Sequence, residues 1–187
     1  HMGLGVEPLQ YLKVVDFGDA NCPPSLIEAS MLAIQDKVKQ SLDAGALPII
    51  LGGDHTISLP NATALANHYG RGKVGILHFD AHADAAPASY GGALVSHATP
   101  VRRLIEAGTV PGRNYIQVGL RGYWPPPAIF RWMKEQGMRW HLMAEIEERG
   151  FDLVLDDAIS EALDGPEYIF LSVDIDVLDP SYAPGTG

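Results

Sequence analysis

The sequence predicts an α/β fold with a mainly parallel sheet covered by helices on both faces. Short apolar runs alternate along the chain with longer stretches of helical periodicity, and this alternation is typical of βαβ units. The apolar runs also lack polar alternation, as expected for strands that are buried on both sides. The predicted strands are Leu12–Val15, Pro48–Leu51, Val74–Leu77, Tyr115–Val118 and Tyr168–Val173. The predicted helices are Ser25–Ala44, Ser58–His68, Thr99–Ala107, Ala128–Gln136 and Phe151–Leu163.

Length and composition indicate an ordinary globular chain. Its 187 residues, 47% hydrophobic and 19% charged, suit one domain, predicted over residues 3–187 with a cloning remnant at residues 1–2. The net charge of −10 argues against nucleic acid as a partner, since phosphates require a Lys/Arg surface. No apolar stretch is long enough to span a membrane. A single cysteine, Cys22, excludes an internal disulfide and leads us to expect a cytoplasmic location.

Polar side chains follow three of the apolar runs at the point where each predicted strand ends. These segments are GGDH at residues 52–55, DAHAD at residues 80–84 and DID at residues 174–176. Ligands of open parallel sheets bind outside the carboxyl ends of the strands, so all three segments can meet at one site. In extended backbone, the spacing within DAHAD places its three polar side chains on the same side.

With Asp54 set aside as a turn residue, these strand ends offer two imidazoles and four carboxylates without a thiolate. No Lys or Arg occurs from residue 74 to residue 101, and a desolvated carboxylate is costly without a positive partner. The donor set suits Mn²⁺, with Ni²⁺, Fe²⁺, Co²⁺ and Zn²⁺ as alternatives. Six ligands suit two ions about 3.5–4 Å apart that share carboxylates and a nucleophilic hydroxide. The predicted ligands are His55, Asp80, His82, Asp84, Asp174 and Asp176.

Signatures of other enzyme classes are absent from the sequence. It contains no G-x-G-x-x-G after the first predicted strand, no P-loop and no G-x-S-x-G, which argues against nucleotide binding and serine hydrolase chemistry. The segment GYWPPP at residues 122–127 breaks any helix. Two interpretations of this segment stay open, a rigid structural turn and the wall of a pocket.

Three motifs resemble those of the ureohydrolase family, the arginases, agmatinases and related guanidino-compound hydrolases. They are LGGDHTIS, HFDAHADA and SVDIDVLDPSYAPGTG, in the family's order, and the resemblance runs from about Ile49 to Gly187. It implies a three-layer α/β/α arrangement, arginase-like, with a dimanganese site. It further implies that metal-bridging hydroxide cleaves a guanidinium to urea and an amine.

The resemblance also implies a role for each predicted ligand. His55 and Asp84 would bind one ion, and His82 and Asp176 the other, with Asp80 and Asp174 shared between them. The segment SHATP at residues 96–100 is similar to the family's S-H-G-T-P, so His97 is the expected proton carrier to the leaving amine. Ala98 replaces the usual Gly of that segment. His78 is expected to be a buried partner of the ligands.

The same resemblance narrows the range of expected substrates. The stretches that hold the amino-acid head group in arginases correspond to residues 85–88 and 122–124, which carry no polar head-group ligands. Arginine is therefore disfavoured, and the segment SHATPVRR looks more like agmatinases and guanidino-acid hydrolases. We expect agmatine, with guanidinobutyrate, guanidinopropionate or guanidine as alternatives, and a homo-oligomeric assembly.

The resemblance suggests truncation at both ends. The family's first strand is missing before Leu12, and a segment that carries a substrate-orienting Glu follows the position of Gly187 in the family. Two further hypotheses therefore stay open beside the dinuclear hydrolase. One is a single-zinc deacylase on the same fold, and the other is a non-catalytic metal-binding fragment.

Overall fold

The computed structural model describes residues 1–186, in which four parallel strands form one sheet in the order β3-β2-β1-β4. The strands are β1 (Val74–Phe79), β2 (Tyr115–Leu120), β3 (Arg139–Leu142) and β4 (Tyr168–Val173). The helices are α1 (Ile27–Asp43), α2 (Ser58–Tyr69), α3 (Pro100–Glu106), α4 (Pro127–Glu135), α5 (Met143–Arg149) and α6 (Phe151–Ala162). None of these helices is both long and apolar enough to cross a membrane.

The sheet separates two apolar cores, which confirms the predicted three-layer α/β/α arrangement. On one face, Ile76 of β1 packs with residues of α2, α3 and α4, including Leu104 and Met133. On the other face, Leu77 packs with α6, including Val154. Neighbouring residues of β1 therefore enter opposite cores, as the alternation of side chains along a strand requires. Since both faces of the sheet are covered, its central strands contain the continuous apolar runs seen in the sequence.

Most predicted elements are confirmed to within a few residues at each end. All five predicted helices form, and so do the predicted strands that became β1, β2 and β4. Neither β3 nor α5 was predicted from the sequence. Only four residues make up β3, RWHL, and an Arg and a His interrupt its apolar pattern.

Two predicted strands are wrong. Neither Leu12–Val15 nor Pro48–Leu51 belongs to a strand in residues 1–186. Their apolar, β-branched composition favours a strand, but a strand also needs a neighbouring ladder of backbone partners. The sheet provides none to either segment within the described residues, and their apolar side chains are largely exposed.

Gly75 lies in β1 where the sheet meets the C-terminal end of α6. A Cβ added at Gly75 would lie 2.2 Å from the carbonyl oxygen of Ala162. A side chain at this position would therefore collide with helix backbone, which cannot yield as a flexible side chain can. Glycine permits the close approach of α6 to the central strand.

We expect Gly75→Ala to lower the free energy of unfolding by about 1–3 kcal/mol, because α6 must shift to admit the methyl group. Urea unfolding followed by circular dichroism measures this change. Gly185→Ala is the matched control, since none of the described atoms lies within 4 Å of its added Cβ, and its effect should stay within about 0.5 kcal/mol. Equal stabilities of the two variants would contradict the close packing of α6 on β1.

Candidate metal centre

Three short segments bring the predicted ligands to the carboxyl edge of the sheet. Residues 80–84 follow β1, residues 174–176 follow β4, and His55 begins a 3-10 helical turn before α2. In each segment an aspartate accepts a hydrogen bond from the backbone N–H two residues later. This local turn is a property of aspartate side chains, so each motif folds its own loop. Because each loop folds by itself, the three motifs form one site once the sheet places the loops beside one another.

The first cluster surrounds one ring nitrogen of His55. Its Nδ1 lies 3.0 Å from Asp80 Oδ2, 3.0 Å from Asp174 Oδ2 and 3.3 Å from Asp84 Oδ2. The opposite nitrogen, Nε2, lies 2.9 Å from Ser172 Oγ. A ring nitrogen carries at most one hydrogen, so His55 cannot donate to all three carboxylates at once. The cluster therefore holds more acceptors than its own donors can satisfy.

The second cluster lies next to the first and shares Asp80 with it. The Nδ1 atom of His82 lies 2.8 Å from Asp176 Oδ2 and 3.6 Å from Asp80 Oδ1. The other carboxylate oxygen of Asp176 accepts a hydrogen bond from the backbone N–H of Ala81 at 3.1 Å. One oxygen of Asp80 thus faces the first cluster and the other faces the second.

Burial and mutual repulsion change the ionisation of Asp84. Burial is the largest influence, and together with the nearby Asp80 and Asp174 carboxylates it raises the pKa of Asp84 to about 8. Its backbone also lies in the left-handed region, with φ of 46°, which costs energy for a residue other than glycine. Asp84 is therefore held by its surroundings in a position that it would not adopt alone.

The pKa values of His55 and Asp80 shift in opposite directions. Burial lowers the pKa of His55, but hydrogen bonds to Asp174 and Asp80 outweigh it and raise that pKa to about 10. Burial raises the pKa of Asp80, but the imidazoles of His55 and His78 outweigh it and hold that pKa below its usual range. No Lys or Arg within the described residues forms an ion pair with these carboxylates. The protonated imidazole of His55 is the positive partner of the first cluster.

The two clusters fit a pair of divalent cations. The donor atoms of His55, His78, Asp80 and Asp84 lie within 4.8 Å of one another, and so do those of Asp80, His82 and Asp176. Buried Asp80 Oδ2 finds no aligned hydrogen-bond donor among the described residues. Nitrogen and oxygen donors of this kind suit Mn²⁺ and its neighbours in the transition series.

His78 lies under the first cluster in the middle of the sheet. Its Nε2 is 2.9 Å from Asp80 Oδ2, and its ring lies edge-on to His55 with centroids 4.4 Å apart. The amide nitrogen of Gln117, which can only donate, is 3.1 Å from His78 Nδ1. His78 Nδ1 is therefore the acceptor, and the ring hydrogen is assigned to Nε2, which lies near Asp80 Oδ2 without forming an aligned hydrogen bond to it. Burial lowers the pKa of His78 and keeps it neutral.

Three polar contributors to the site were not predicted from the sequence. Ser172 contacts His55, Gln117 orients His78, and Arg121 binds the loop that carries Asp176. The guanidinium of Arg121 donates to the backbone carbonyl of Asp176 at 2.6 Å and to those of the next two residues. A polar residue inside an apolar run was the available signal for Ser172 and Gln117.

His97 does not join the clusters. It lies in an exposed turn before α3, and its imidazole makes no hydrogen bond or ion pair with the described residues. The turn is nevertheless tied to the segment that leaves the first cluster. Ala86 N–H donates to Ala98 O at 2.9 Å, and Val101 N–H donates to Asp84 O at 3.2 Å. The structure thus brings the six predicted ligands together and leaves His97 at their periphery.

The segment at residues 122–127 borders a cavity of about 760 Å³ beside the carboxyl ends of β2 and β3. Aromatic rings form much of its wall, including those of Trp124, Phe130 and Trp140, and the cationic side chains of Arg131 and Lys134 also border it. No Asp or Glu is among the described residues that line it. The structure therefore favours the interpretation of this segment as a pocket wall.

The match to a family model and the matches to curated proteins agree with each other. The model of the Arginase family matches residues 1–187. A guanidinopropionase of Pseudomonas aeruginosa is 38% identical over 182 residues, which cover 97% of this chain and 56% of that protein. A mitochondrial agmatinase of Gallus gallus is 36% identical over 185 residues, 98% of this chain and 52% of that protein. The chain thus spans about half the length of the curated relatives that it matches.

Solved structures share the fold. Formimidoylglutamase from Bacillus subtilis superposes with a TM-score of 0.84 at 32% identity, over 91% of this chain and 52% of that one. Formiminoglutamase from Trypanosoma cruzi, solved with two Mn²⁺, superposes with a TM-score of 0.79 at 26% identity, over 88% of this chain and 54% of that one. The resemblance to the ureohydrolases carried by three sequence motifs is thereby confirmed, and the chain belongs to the Arginase family.

Proposed function

We propose that this chain carries the metal centre of a hydrolase that cleaves guanidino compounds to urea and an amine. The observation behind this proposal is the meeting of two clusters at the carboxylate of Asp80. A carboxylate with one oxygen in each cluster is the arrangement that two neighbouring cations require. Since the relatives that match are about twice as long, the activity of the whole protein belongs to the proposal.

In this proposal His55 and Asp84 hold one ion and His82 and Asp176 the other. Asp80 is shared, and Asp174 completes the set because its Oδ2 lies 3.0 Å from His55 Nδ1. Mn²⁺ is the expected metal, which the Trypanosoma cruzi neighbour also contains, and Ni²⁺, Fe²⁺, Co²⁺ and Zn²⁺ are alternatives. When bound, such a pair supplies Lewis-acid activation of water near neutral pH.

Other residues of the chain orient the metal ligands, and one is proposed to carry a proton. Ser172 and the 3-10 helical turn fix the ring of His55, while Gln117 and His78 fix the carboxylate of Asp80. His97 is proposed to carry a proton to the leaving amine, a role that histidine fills more often than any other side chain. Its exposed turn is joined to Asp84 through backbone hydrogen bonds, so it lies within the same edge of the sheet.

Agmatine is the first proposed substrate, as the SHATPVRR segment favours, and a cytoplasmic homo-oligomer is the expected form. The relatives bear the names of different substrates, including guanidinopropionate and agmatine. One observation favours a guanidino acid as the second candidate. The cavity beside Trp124 presents Arg131 and Lys134 without an acidic residue among its described lining, and this charge suits a carboxylate better than an amine.

Metal content tests the centre directly. We expect about two manganese ions per chain after dialysis against Mn²⁺, because the donors form two clusters. Asp80→Asn should remove most of both ions, since it weakens the ligand that the clusters share, and Asp156→Asn on exposed α6 is the matched control. Plasma mass spectrometry counts the ions. About one ion in the unsubstituted chain would support the single-metal alternative and contradict the dinuclear centre.

Metal uptake should depend on pH. With a pKa of about 10 for His55 and about 8 for Asp84, both groups hold a proton in the metal-free chain at about pH 7, and each must lose it to bind an ion. The affinity for Mn²⁺ should therefore rise from about pH 6 to about pH 8 as protons become easier to displace. Calorimetric titration in buffers of different ionisation enthalpy counts the released protons. An affinity that does not change over this interval would contradict these ionisation states.

Urea release identifies the reaction and the substrate together. The manganese-loaded chain is incubated with agmatine, guanidinobutyrate, guanidinopropionate, guanidine and arginine, and we expect urea from agmatine most rapidly. Faster release from the two guanidino acids would favour the second candidate and assign the cationic cavity to their carboxylates. Urea from none of these compounds, with two ions bound, would support a non-catalytic metal-binding fragment.

His97→Asn is the informative variant in the same assay. If His97 carries the proton, kcat should fall by about 100-fold or more while the metal content stays unchanged. His68→Asn on α2 is the control, since His68 lies outside both clusters. An unchanged kcat in the His97 variant would exclude this histidine from the reaction.

A further inference from the structure

Arg121 follows the carboxyl end of β2, and its half-buried guanidinium binds backbone carbonyls. It forms no ion pair among the described residues, in which other arginines make all the arginine pairs. Its acceptors are the carbonyl oxygens of Asp176 at 2.6 Å, Leu178 at 3.0 Å, Val177 at 3.1 Å and Gly119 at 3.4 Å. Because a guanidinium presents its donors in a rigid fork, these bonds hold the loop at residues 176–178 against the end of β2.

The backbone of Arg121 is joined to the same part of the site. Its N–H donates to the carbonyl oxygen of Ala81 at 3.0 Å, and the N–H of Ala81 donates to Asp176 Oδ1 at 3.1 Å. His82 is the next residue after Ala81. Arg121 therefore contacts both segments that carry the ligands found in the second cluster alone, His82 and Asp176. Within the described residues, it makes no hydrogen bond to the ligands found in the first cluster alone.

Gly119 shapes the end of β2 to receive this loop. The register between β2 and β3 shifts at Gly119, whose φ of 106° favours glycine. A Cβ added there would lie 2.7 Å from Val177 Cγ2 and 3.2 Å from the carbonyl oxygen of Asp80. The missing side chain lets Val177 lie against β2 while Arg121 binds the carbonyls on either side of it. Two residues of β2 and its end thus serve the position of one loop.

The second cluster needs such support more than the first. The side chain of His82 is 46% exposed, whereas those of His55 and Asp80 are 6% and 1% exposed. Asp176 belongs to a 3-10 turn of only three residues, a length at which the turn has little stability of its own. Dense packing surrounds the ligands of the first cluster, while the loop that carries Asp176 takes its position from a few hydrogen bonds.

We propose that Arg121 is a positioning residue that sets the affinity of the second cluster for its metal ion without contacting that ion. The inference rests on the dinuclear centre proposed above. Without the fork, the loop at residues 176–178 would be released from β2. Asp176 Oδ2 would then no longer be held 2.8 Å from His82 Nδ1. Partners of metal ligands act in this way because a ligand binds well only when it is already oriented.

The first cluster should keep its ion when Arg121 is replaced. The N–H of Asp174 donates to the carbonyl oxygen of Phe79 at 2.8 Å, which fixes Asp174 to β1 and not to Arg121. His55 is held by Ser172 on β4. Selective loss of one ion therefore separates a positioning role from a general loss of stability, which would weaken both ions together.

Manganese titration of Arg121→Met tests the proposal, because methionine keeps much of the length of the side chain and removes its donors. By calorimetry, we expect the affinity for one ion to fall by about tenfold or more, while the affinity for the other ion changes by less than about threefold. After removal of unbound metal, electron paramagnetic resonance should change from the spectrum of two coupled Mn²⁺ ions to that of an isolated ion. Arg121→Lys should weaken the same ion by less, since an ammonium donates but has no fork.

Two further variants locate the effect. Arg139→Met is the matched control, since Arg139 also donates to two backbone carbonyls, at 2.9 and 3.0 Å. It lies at the amino end of β3, at the opposite edge of the sheet from the clusters, and its loss should leave both affinities unchanged. Gly119→Ala should weaken the same ion as Arg121→Met, because the added Cβ displaces Val177.

The outcomes separate this inference from the proposed centre. Two ions in the unsubstituted chain that Arg121→Met keeps equally well, or weakens equally, would overturn the role of Arg121 alone. An equal effect of Arg139→Met would do the same. One ion in the unsubstituted chain would contradict the dinuclear centre and this inference with it. If Arg121→Met does not fold by circular dichroism, Arg121→Lys and Gly119→Ala give the same comparison, and unchanged affinities in both would overturn the proposal.

Discussion

Four carboxylates lie close together at one edge of a parallel sheet, and the arrangement of the residues around them depends on how these charges are compensated. Asp80 is only 1% exposed, and an unpaired charge at such a position would cost several kcal/mol. The chain supplies imidazoles in place of Lys or Arg, and these are themselves ligands for a transition metal. Neighbouring negative charges that would repel one another in an ordinary core become the donor set of a cation site, which explains why they are tolerated.

The register of the sheet builds the support for that donor set. His78 on β1 pairs with Gln117 on β2 and with Ser172 on β4, so one polar residue from each of three strands stands in a row beneath the clusters. This row is buried, and its members contact one another or a ligand. Shifting any of the strands by one residue would turn its polar member to the opposite face. The geometry of the site therefore depends on the parallel register of these three strands.

The sequence predicted those parts of the protein in which a local pattern determines the outcome. DAHAD and DID fold their own turns through aspartate side chains, so the ligands could be named from spacing alone. β3 was missed because four residues with Arg139 and His141 carry no strand pattern, and only pairing with β2 makes them a strand. Pro48–Leu51 is the opposite case. Its composition favours a strand, but no strand of the described sheet pairs with it. Ser172 and Gln117 interrupt apolar runs, but their role could not be assigned from the sequence because it depends on the register between strands distant in sequence.

His55 is the ligand whose position depends most on its neighbours. The other ligands follow directly from β1 or β4, whereas residues 52–55 follow a segment that is not paired in the described sheet. Contacts to Ser172 and Asp174, together with the turn capped by Asp54, are what hold the ring in place. Because Ser172 lies on β4 and Asp174 follows it, the position of His55 depends on the pairing of β4 with β1.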